Sequence, residues 1–144
     1  MSSLTPEFGC TDIAASVRFY TERLGFKVDY SRPSQGFFHL SKEGNALMLE
    51  QLGPWSWTSE TPELPLGRGM HLQITIDNAP RLAGYLTERD VPLFRPLEEA
   101  WYRDGARWHG QSQFVVADPD GYLLRFASSL GTRDERPTTG RIVE

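Results

Sequence analysis

The chain carries one sequence pattern twice, and this repeat constrains the fold more than any other feature. Asp12 and Tyr20 of the first copy recur as Asp77 and Tyr85, and the offset is 65 residues for both pairs. In each copy an alternating apolar segment precedes the aspartate, and helical periodicity follows it. A repeat of this kind predicts two copies of one supersecondary unit. We expect two curved sheets with a cleft between them.

The first module, residues 5–52, is predicted as βαβββ. A strand over residues 5–11 places Phe8 and Cys10 on one face, and Asp12 is a good N-cap for the helix that Gly25 ends. Three more strands are expected, at residues 26–31, 36–41 and 45–51. In the first of these, Phe26, Val28 and Tyr30 alternate with polar residues, which predicts a half-buried strand.

The second module, residues 69–128, repeats this order. Asp77 is predicted to cap its helix, with Pro80 in the first helical turn. Its strands are expected at residues 70–76, 91–96, 111–117 and 122–127. Residues 52–68 and 98–110 have no counterpart in the repeat, and the tail at residues 131–144 is polar and predicted to be loose. The fold class is therefore α+β, with a single domain over residues 1–130.

Composition excludes several classes of function. The net charge of −4 over 144 residues and the absence of a Lys/Arg run argue against nucleic acid as a partner. No apolar run approaches the roughly 20 residues that span a membrane. The single cysteine, Cys10, cannot form an internal disulfide, and no export signal is visible at the N-terminus. We therefore expect a cytoplasmic protein.

Three segments carry a family resemblance. They are Phe19–Phe26 (FYTERLGF), Leu47–Glu50 (LMLE) and Asp118–Phe126 (DPDGYLLRF). With these segments the chain resembles the vicinal oxygen chelate superfamily, which includes glyoxalase I, extradiol dioxygenases, fosfomycin-resistance enzymes and bleomycin-resistance proteins. The resemblance implies two βαβββ modules that form an open, eight-stranded cup, the glyoxalase/bleomycin-resistance fold.

The resemblance also locates four positions at which metal-dependent members bind one divalent ion. They fall at Thr5 or Pro6, Glu50, His71 and Arg125. In an alternative register of the fourth strand, Met48 takes the position of Glu50. A guanidinium is permanently charged and has no lone pair to donate, so Arg125 repels a divalent cation. Two ligands do not make the usual site of three or four protein ligands. We therefore expect no metal, no other cofactor and no catalytic residue.

The bleomycin-resistance branch shares this arrangement, and it implies metal-independent sequestration of a bleomycin-type glycopeptide antibiotic, without chemistry. Two alternatives stay open: a metal-dependent glyoxalase, dioxygenase or thiol transferase, and a binding protein for an unknown aromatic metabolite. The resemblance further implies a homodimer with two equivalent sites, often with the first strand exchanged, and the arm Leu4–Pro6 is consistent with that exchange.

Aromatic residues of the two unrepeated stretches favour ligand binding. On loops that border a cleft, they could stack on a planar drug ring, while Glu98, Glu99 and Asp104 attract its cationic tail. The predicted ligand residues are Phe38, Glu50, Trp55, Trp57, His71, Trp101, Tyr102, Trp108 and Arg125. Two other interpretations stay open: some tryptophans fill a dimer interface, and Glu50, His71 and Arg125 form a structural polar network.

Overall fold

The computed structural model describes residues 4–144, so residues 1–3, where the predicted 1–130 domain begins, lie outside it. Its elements are β1 (Glu7–Cys10), α1 (Ile13–Arg18), β2 (Lys27–Arg32), β3 (Phe37–Lys42), β4 (Asn45–Gln51), β5 (His71–Thr75), α2 (Ala79–Glu88), β6 (Arg95–Asp104), β7 (Arg107–Ala117), β8 (Leu123–Arg133) and β9 (Arg141–Val143). The helix α1 continues as a π-helical segment, Phe19–Arg23, and a 3-10 turn, Pro33–Gln35, precedes β3.

Two compact units divide the chain. The first runs to Met70 and includes Asp118–Tyr122, and the second comprises His71–Ala117 and Leu123–Glu144. Each unit holds one mixed sheet, with strand orders β1-β4-β3-β2 and β5-β8-β7-β6-β9. In both sheets the first strand of the module pairs in parallel with the last strand of the βαβββ motif. The predicted α+β class and the repeated module are confirmed.

Helix boundaries in the first unit follow the predicted signals. The Asp12 side chain accepts a hydrogen bond of 3.1 Å from the amide of Ala15. Gly25 has a φ of 79°, the left-handed conformation that glycine adopts without steric cost. The helix covers the sheet face that carries Phe8, Leu47 and other buried apolar side chains. Strand alternation therefore leaves the residues between them on the opposite face.

The prediction of a half-buried face on β2 is wrong for two of its three residues. Phe26 is buried, but it precedes the strand, whereas Val28 and Tyr30 are 41% and 51% exposed. The cause is position: β2 is an edge strand with a register shift between Val28 and Tyr30. Alternation in the sequence records which residues share a face, but not whether that face is covered.

In the second unit, Asn78 rather than Asp77 is the N-cap of α2. Its side chain accepts a 3.0 Å hydrogen bond from the amide of Arg81, while Pro80 lies in the first turn as predicted. The strand predicted over residues 91–96 is also wrong, because β6 begins only at Arg95. The strands β6 and β7 instead include most of residues 98–110, which had been expected to form a loop.

The aromatic residues of this stretch lie on strands and not on loops. Trp101 and Tyr102 are on β6 and Trp108 is on β7, in a long hairpin that turns at residues 105–106. Trp101 and Trp108 are buried. The ring of Trp101 lies over Gly110, where a Cβ atom would come within 2.5 Å of it. Apart from Tyr102, these side chains therefore belong to the core, which corrects the prediction that they border a cleft.

The predicted loose tail is a second correction. The strand β8 continues to Arg133, and β9 pairs in parallel with β6 from Ala100 to Tyr102. The described residues thus form nine strands where eight had been predicted. A sequence pattern misses β9 because three residues are too few to show alternation. Among residues 4–144, no helix has the length and apolar character to cross a bilayer.

Candidate functional site

The face of the first sheet opposite the helix carries two carboxylates on neighbouring strands. Glu7 pairs with Met48 on β4, and Gly9 pairs with Glu50, so that both glutamates project from the same face, one pleat apart. On the other side of β4, Phe37 lies directly opposite Glu50. The antiparallel and parallel registers together therefore place an aromatic ring and two acidic groups side by side.

These residues line a cavity of about 530 Å³ within the first unit. Its lining consists of Glu7, Arg32, Ser34, Gln35, Phe37, Glu50, Trp55 and Trp57. The volume falls within the range usual for small-molecule sites. We call it the acidic cavity. Residues from all four strands of the first sheet and from two connecting segments contribute to it.

One arginine, Arg32, lines this cavity, and its guanidinium contacts Phe37 and Gln35. The Arg32 guanidinium lies 4.0 Å from the centroid of the Phe37 ring, and its Nε donates a 2.9 Å hydrogen bond to Gln35 Oε1. Both contacts fix the cation against the aromatic wall. The arginine also lowers the pKa of Glu7, but this is the smallest of the three influences on that group.

The pKa of Glu7 is raised above its ordinary value, firstly by burial and secondly by the charge of Glu50. Glu7 is exposed and Glu50 is half-buried. Two neighbouring carboxylates repel each other, and each is stabilised by a cation placed between or beside them. The acidic cavity therefore favours a positively charged ligand.

Two tryptophans stand at the edge of the acidic cavity. Trp55 is 57% exposed and Trp57 is completely exposed. A tight turn positions Trp55. The amide of Gly53 donates a 2.9 Å hydrogen bond to Ser56 Oγ, and the amide of Ser56 donates one of 3.0 Å to the carbonyl of Gly53. Large exposed aromatic surfaces are unfavourable in water, and stacking on a flat ligand ring would cover them.

The structure changes which residues of the first module can meet a ligand. Phe38 lies opposite Leu49 on the helix-covered face, and Phe37 takes the place predicted for it. Glu7 and Arg32 were not predicted. Alternation from the proposed ligand position at Thr5 could have indicated Glu7, two residues later on the same face. The contribution of Arg32 depends on the fold around Phe37, which no local sequence signal shows.

His71 and Arg125 line another cavity, of about 360 Å³, within the second unit. Its other lining residues are Phe94, Arg95, Pro96, Glu98, Gln113, Phe114, Val115, Leu123 and Arg141. We call it the arginine cavity. Across this sheet, Gln73, Arg125, Val115 and Arg95 lie opposite one another in a row. Glu50 is in the first unit, so its predicted pairing with Arg125 stays a prediction.

A chain of polar contacts borders the arginine cavity and includes Tyr102, the one hairpin aromatic that keeps a polar role. Its hydroxyl accepts hydrogen bonds from Gln113 Nε2, at 2.6 Å, and from Arg141 Nη2, at 3.2 Å. Arg141 Nε donates to Glu98 Oε1 at 2.8 Å.

The acidic groups predicted to attract a cationic tail have partners within the chain. Glu98 pairs with Arg141, Glu99 accepts a 2.9 Å hydrogen bond from Trp101 Nε1, and Asp104 contacts His109 at 2.8 Å. Glu7 and Glu50, which line the acidic cavity of the first unit, form no ion pair among residues 4–144.

The residues at the four metal positions do not fit a divalent ion. Thr5 offers a neutral hydroxyl, and Arg125 offers a permanent cation with no lone pair. No group of three or more His, Cys, Asp and Glu side chains in residues 4–144 is placed to hold a metal.

Comparison with known families decides the membership of the chain. The model of the Glyoxalase/Bleomycin resistance protein/Dioxygenase superfamily matches residues 6–126. The chain belongs to this superfamily. A comparison with curated proteins gives no match. The superfamily name joins enzymes with resistance proteins, so membership alone leaves both classes open.

Three solved structures illustrate what the chain is similar to. A glyoxalase/bleomycin resistance protein/dioxygenase superfamily member from Vibrio splendidus 12B01 is 33% identical, with 86% of this chain and 95% of that chain covered and a TM-score of 0.40. A glyoxalase/bleomycin resistance protein/dioxygenase from Alicyclobacillus acidocaldarius is 20% identical, with 90% and 92% covered and a TM-score of 0.61. Lactoylglutathione lyase from Agrobacterium tumefaciens is 15% identical, with 89% and 94% covered and a TM-score of 0.60. The last two show the superfamily fold alone.

Proposed function

We propose that this protein binds and sequesters a cationic, planar aromatic small molecule of the bleomycin type, without transforming it. The observation that carries the proposal is the acidic cavity, in which Glu7 and Glu50 share one face with Phe37 and with the exposed rings of Trp55 and Trp57. A ligand with a flat ring and a positive tail satisfies both features of the cavity at once.

Electrostatics supports the positive charge of the ligand. The raised pKa of Glu7 comes from burial and from its neighbour Glu50, and a bound cation relieves both costs. Arg32 offsets part of this negative charge but not all of it, because two carboxylates and one guanidinium line the cavity. Each well-placed charge contact in a partly desolvated cavity contributes about tenfold to affinity, or about 1.4 kcal/mol.

The chemistry of the metal positions supports binding without catalysis. In this superfamily the resemblance assigns Arg125 to a position that catalytic members fill with a carboxylate. A side chain that cannot donate a lone pair gives no Lewis-acid site. The proposal therefore assigns no catalytic residue, and the role of the first unit is to hold the ligand.

The test is a titration of the protein with metal-free bleomycin, followed by tryptophan fluorescence and calorimetry. We expect saturable quenching, because Trp55 and Trp57 are exposed and would stack on the drug. Glu50→Gln is expected to weaken binding about tenfold. The control Glu88→Gln, at the end of α2, should bind like the wild type.

Two results separate the alternatives. Drug recovered from the complex should have an unchanged intact mass, and a mass change would show that the protein is an enzyme. If micromolar bleomycin causes no quenching, the antibiotic is the wrong ligand. A parallel titration with a simple cationic planar dye then tests the charge and shape of the cavity directly, and failure of both ligands would overturn the proposal.

A further inference from the structure

The arginine cavity has the opposite charge to the acidic cavity. Arg95, Arg125 and Arg141 line it against the single carboxylate of Glu98, which leaves a net charge of +2 when His71 is neutral. The whole chain carries −4. A positive cavity in an acidic protein concentrates anions locally, since like charges this close repel unless a counter-charge joins them.

Arg125 shows the need for such a counter-charge most directly. Its Nε is buried, and no group within residues 4–144 accepts a hydrogen bond from it. A buried donor without an acceptor costs about 1–3 kcal/mol, and more when the group is charged. An arginine fork can bind both oxygens of a carboxylate at once, so a ligand oxyanion would satisfy this donor.

The other arginines have different roles in the cavity. Arg141 is already committed, since its Nε binds Glu98 and its Nη2 donates to Tyr102. Arg95 is exposed at the rim, in the row that runs across the sheet through Val115 to Arg125. The charge that remains for a ligand therefore comes from Arg125 at the inner side and Arg95 at the outer side.

Apolar side chains form the rest of the lining. Phe114 is buried and Phe94 is exposed, and Val115 and Leu123 lie between the polar groups. A bare inorganic anion would leave this apolar surface uncovered. A ligand with a hydrocarbon or aromatic body covers it, while the anionic end reaches the arginines. The cavity volume of about 360 Å³ limits that body to a small one.

We propose that the arginine cavity is a binding site for a small organic carboxylate, with the carboxylate on Arg125 and Arg95 and an apolar body against Phe94 and Leu123. The inference goes beyond the proposed function, because the ligand has the opposite charge and the site lies in the second unit. The same arginine that excludes a metal ion from its position thereby becomes the anchor of an anion.

The experiment titrates the full chain with benzoate and follows backbone amide shifts by NMR. Benzylamine, of the same shape and opposite charge, and inorganic phosphate serve as comparison ligands. We expect saturable shifts from benzoate in β7 and β8 that weaken with added salt. Arg125→Gln should weaken benzoate binding at least tenfold. The control Arg107→Gln, at the hairpin turn beside Asp134, should leave it unchanged.

Arg95→Gln is the second variant, since Arg95 is exposed and its loss does not disturb the core; we expect a weakening of about threefold. Three results would overturn the proposal: benzylamine binds as tightly as benzoate, phosphate binds more tightly than benzoate, or folded Arg125→Gln and Arg95→Gln both bind benzoate like the wild type. These failures leave the bleomycin titration untouched, because that test depends on Glu50 and on a cationic ligand.

Discussion

The hydroxyl of Tyr20 donates a 2.8 Å hydrogen bond to Oδ2 of Asp118, although 98 residues separate them in the sequence. Both side chains are buried. The other carboxylate oxygen of Asp118 accepts from the amides of Asp120 and Tyr122, at 2.9 and 3.0 Å. Asp120 in turn accepts 3.1 Å from the amide of Thr11. These contacts explain why the turn Asp118–Tyr122 belongs to the first unit.

Tyr20→Phe should destabilise the protein by about 1–3 kcal/mol. The substitution removes a donor from a buried carboxylate and leaves its oxygen without that partner. Urea unfolding monitored by circular dichroism measures the change. Glu88→Gln is the control, because Glu88 is exposed at the end of α2, and its effect should stay within about 0.5 kcal/mol. Equal effects in both variants would show that the buried hydrogen bond contributes nothing.

Asp118 should make the free energy of unfolding fall as the pH rises from about 4 to 6. Burial raises its pKa from 3.8 to about 6. Between these values the folded state binds more protons than the unfolded state, so stability decreases with rising pH and levels off above pH 6. The change amounts to at most about 3 kcal/mol, at 1.36 kcal/mol per pKa unit.

Asp118→Asn tests this assignment, because asparagine keeps an acceptor for the two amides and does not titrate. Unfolding measured at intervals from pH 4 to 7.5 should lose most of this slope in the variant. Glu88→Gln, on an exposed helix end, should keep the wild-type profile. A slope that survives in Asp118→Asn would assign the pH dependence to another group.

Affinity for a cationic ligand should decrease as the pH is lowered. The pKa of Glu7 is raised by burial and by Glu50, so Glu7 loses its charge at a higher pH than an ordinary glutamate. Protonation removes half of the attraction in the acidic cavity. The dissociation constant of metal-free bleomycin, measured from pH 4.5 to 7.5, should rise towards acid in the wild type. Glu7→Gln should flatten that dependence; an unchanged curve would exclude Glu7 from the site.

Two glycine substitutions should have opposite effects. Gly110→Ala should destabilise the protein by about 1–3 kcal/mol, because its Cβ would lie 2.5 Å from the Trp101 ring. Gly84→Ala, in the interior of α2, should stabilise it by about 0.5–1 kcal/mol, since nothing lies within 4 Å of the added atom and alanine favours a helix. Thermal unfolding of both variants measures the difference. A Gly110→Ala variant as stable as the wild type would contradict the packing of Trp101, and a destabilised Gly84→Ala variant would contradict the open space at that helix position.

We also propose that the protein is a homodimer. Val28 and Tyr30 expose apolar surface on the edge strand β2, which a second copy would cover. Light scattering should give twice the chain mass of 16.3 kDa. Tyr30→Glu should shift the distribution towards the monomer. A monomer at 100 micromolar would rule the dimer out. In the structure β1 pairs with β4 of its own chain, and exchange of this strand between copies stays a prediction.

The repeat was sufficient to predict the two βαβββ modules, because their helices and most of their strands depend on local signals. An N-cap aspartate, a left-handed glycine and a run such as Asn45–Gln51 act within a few residues, and the structure keeps all three. The 65-residue offset then predicted the same order of elements in the second module. There, α2 begins one residue later than predicted, because Asn78 is its N-cap.

The site could be predicted only in part, because cavities depend on register and on what covers each face. The sequence predicts that Trp101 lies on a loop, whereas the pairing of β6 with β7 buries its ring over Gly110. Phe37 and Phe38 are adjacent, and only the pairing of Phe37 with Glu50 shows which one lines the acidic cavity. Neither fact can be obtained from composition or periodicity, since both depend on contacts between separate strands.

The short strand β9 determines what the second sheet can do with other chains. Without it, the outer side of β6 would present a row of unsatisfied amides and carbonyls, and such a row acts as a template for the strand of a neighbouring molecule. By occupying those groups from Ala100 to Tyr102, Arg141–Val143 removes one route to aggregation. Three residues that contribute little to the core thus cover the middle of an edge that would otherwise be open to another chain.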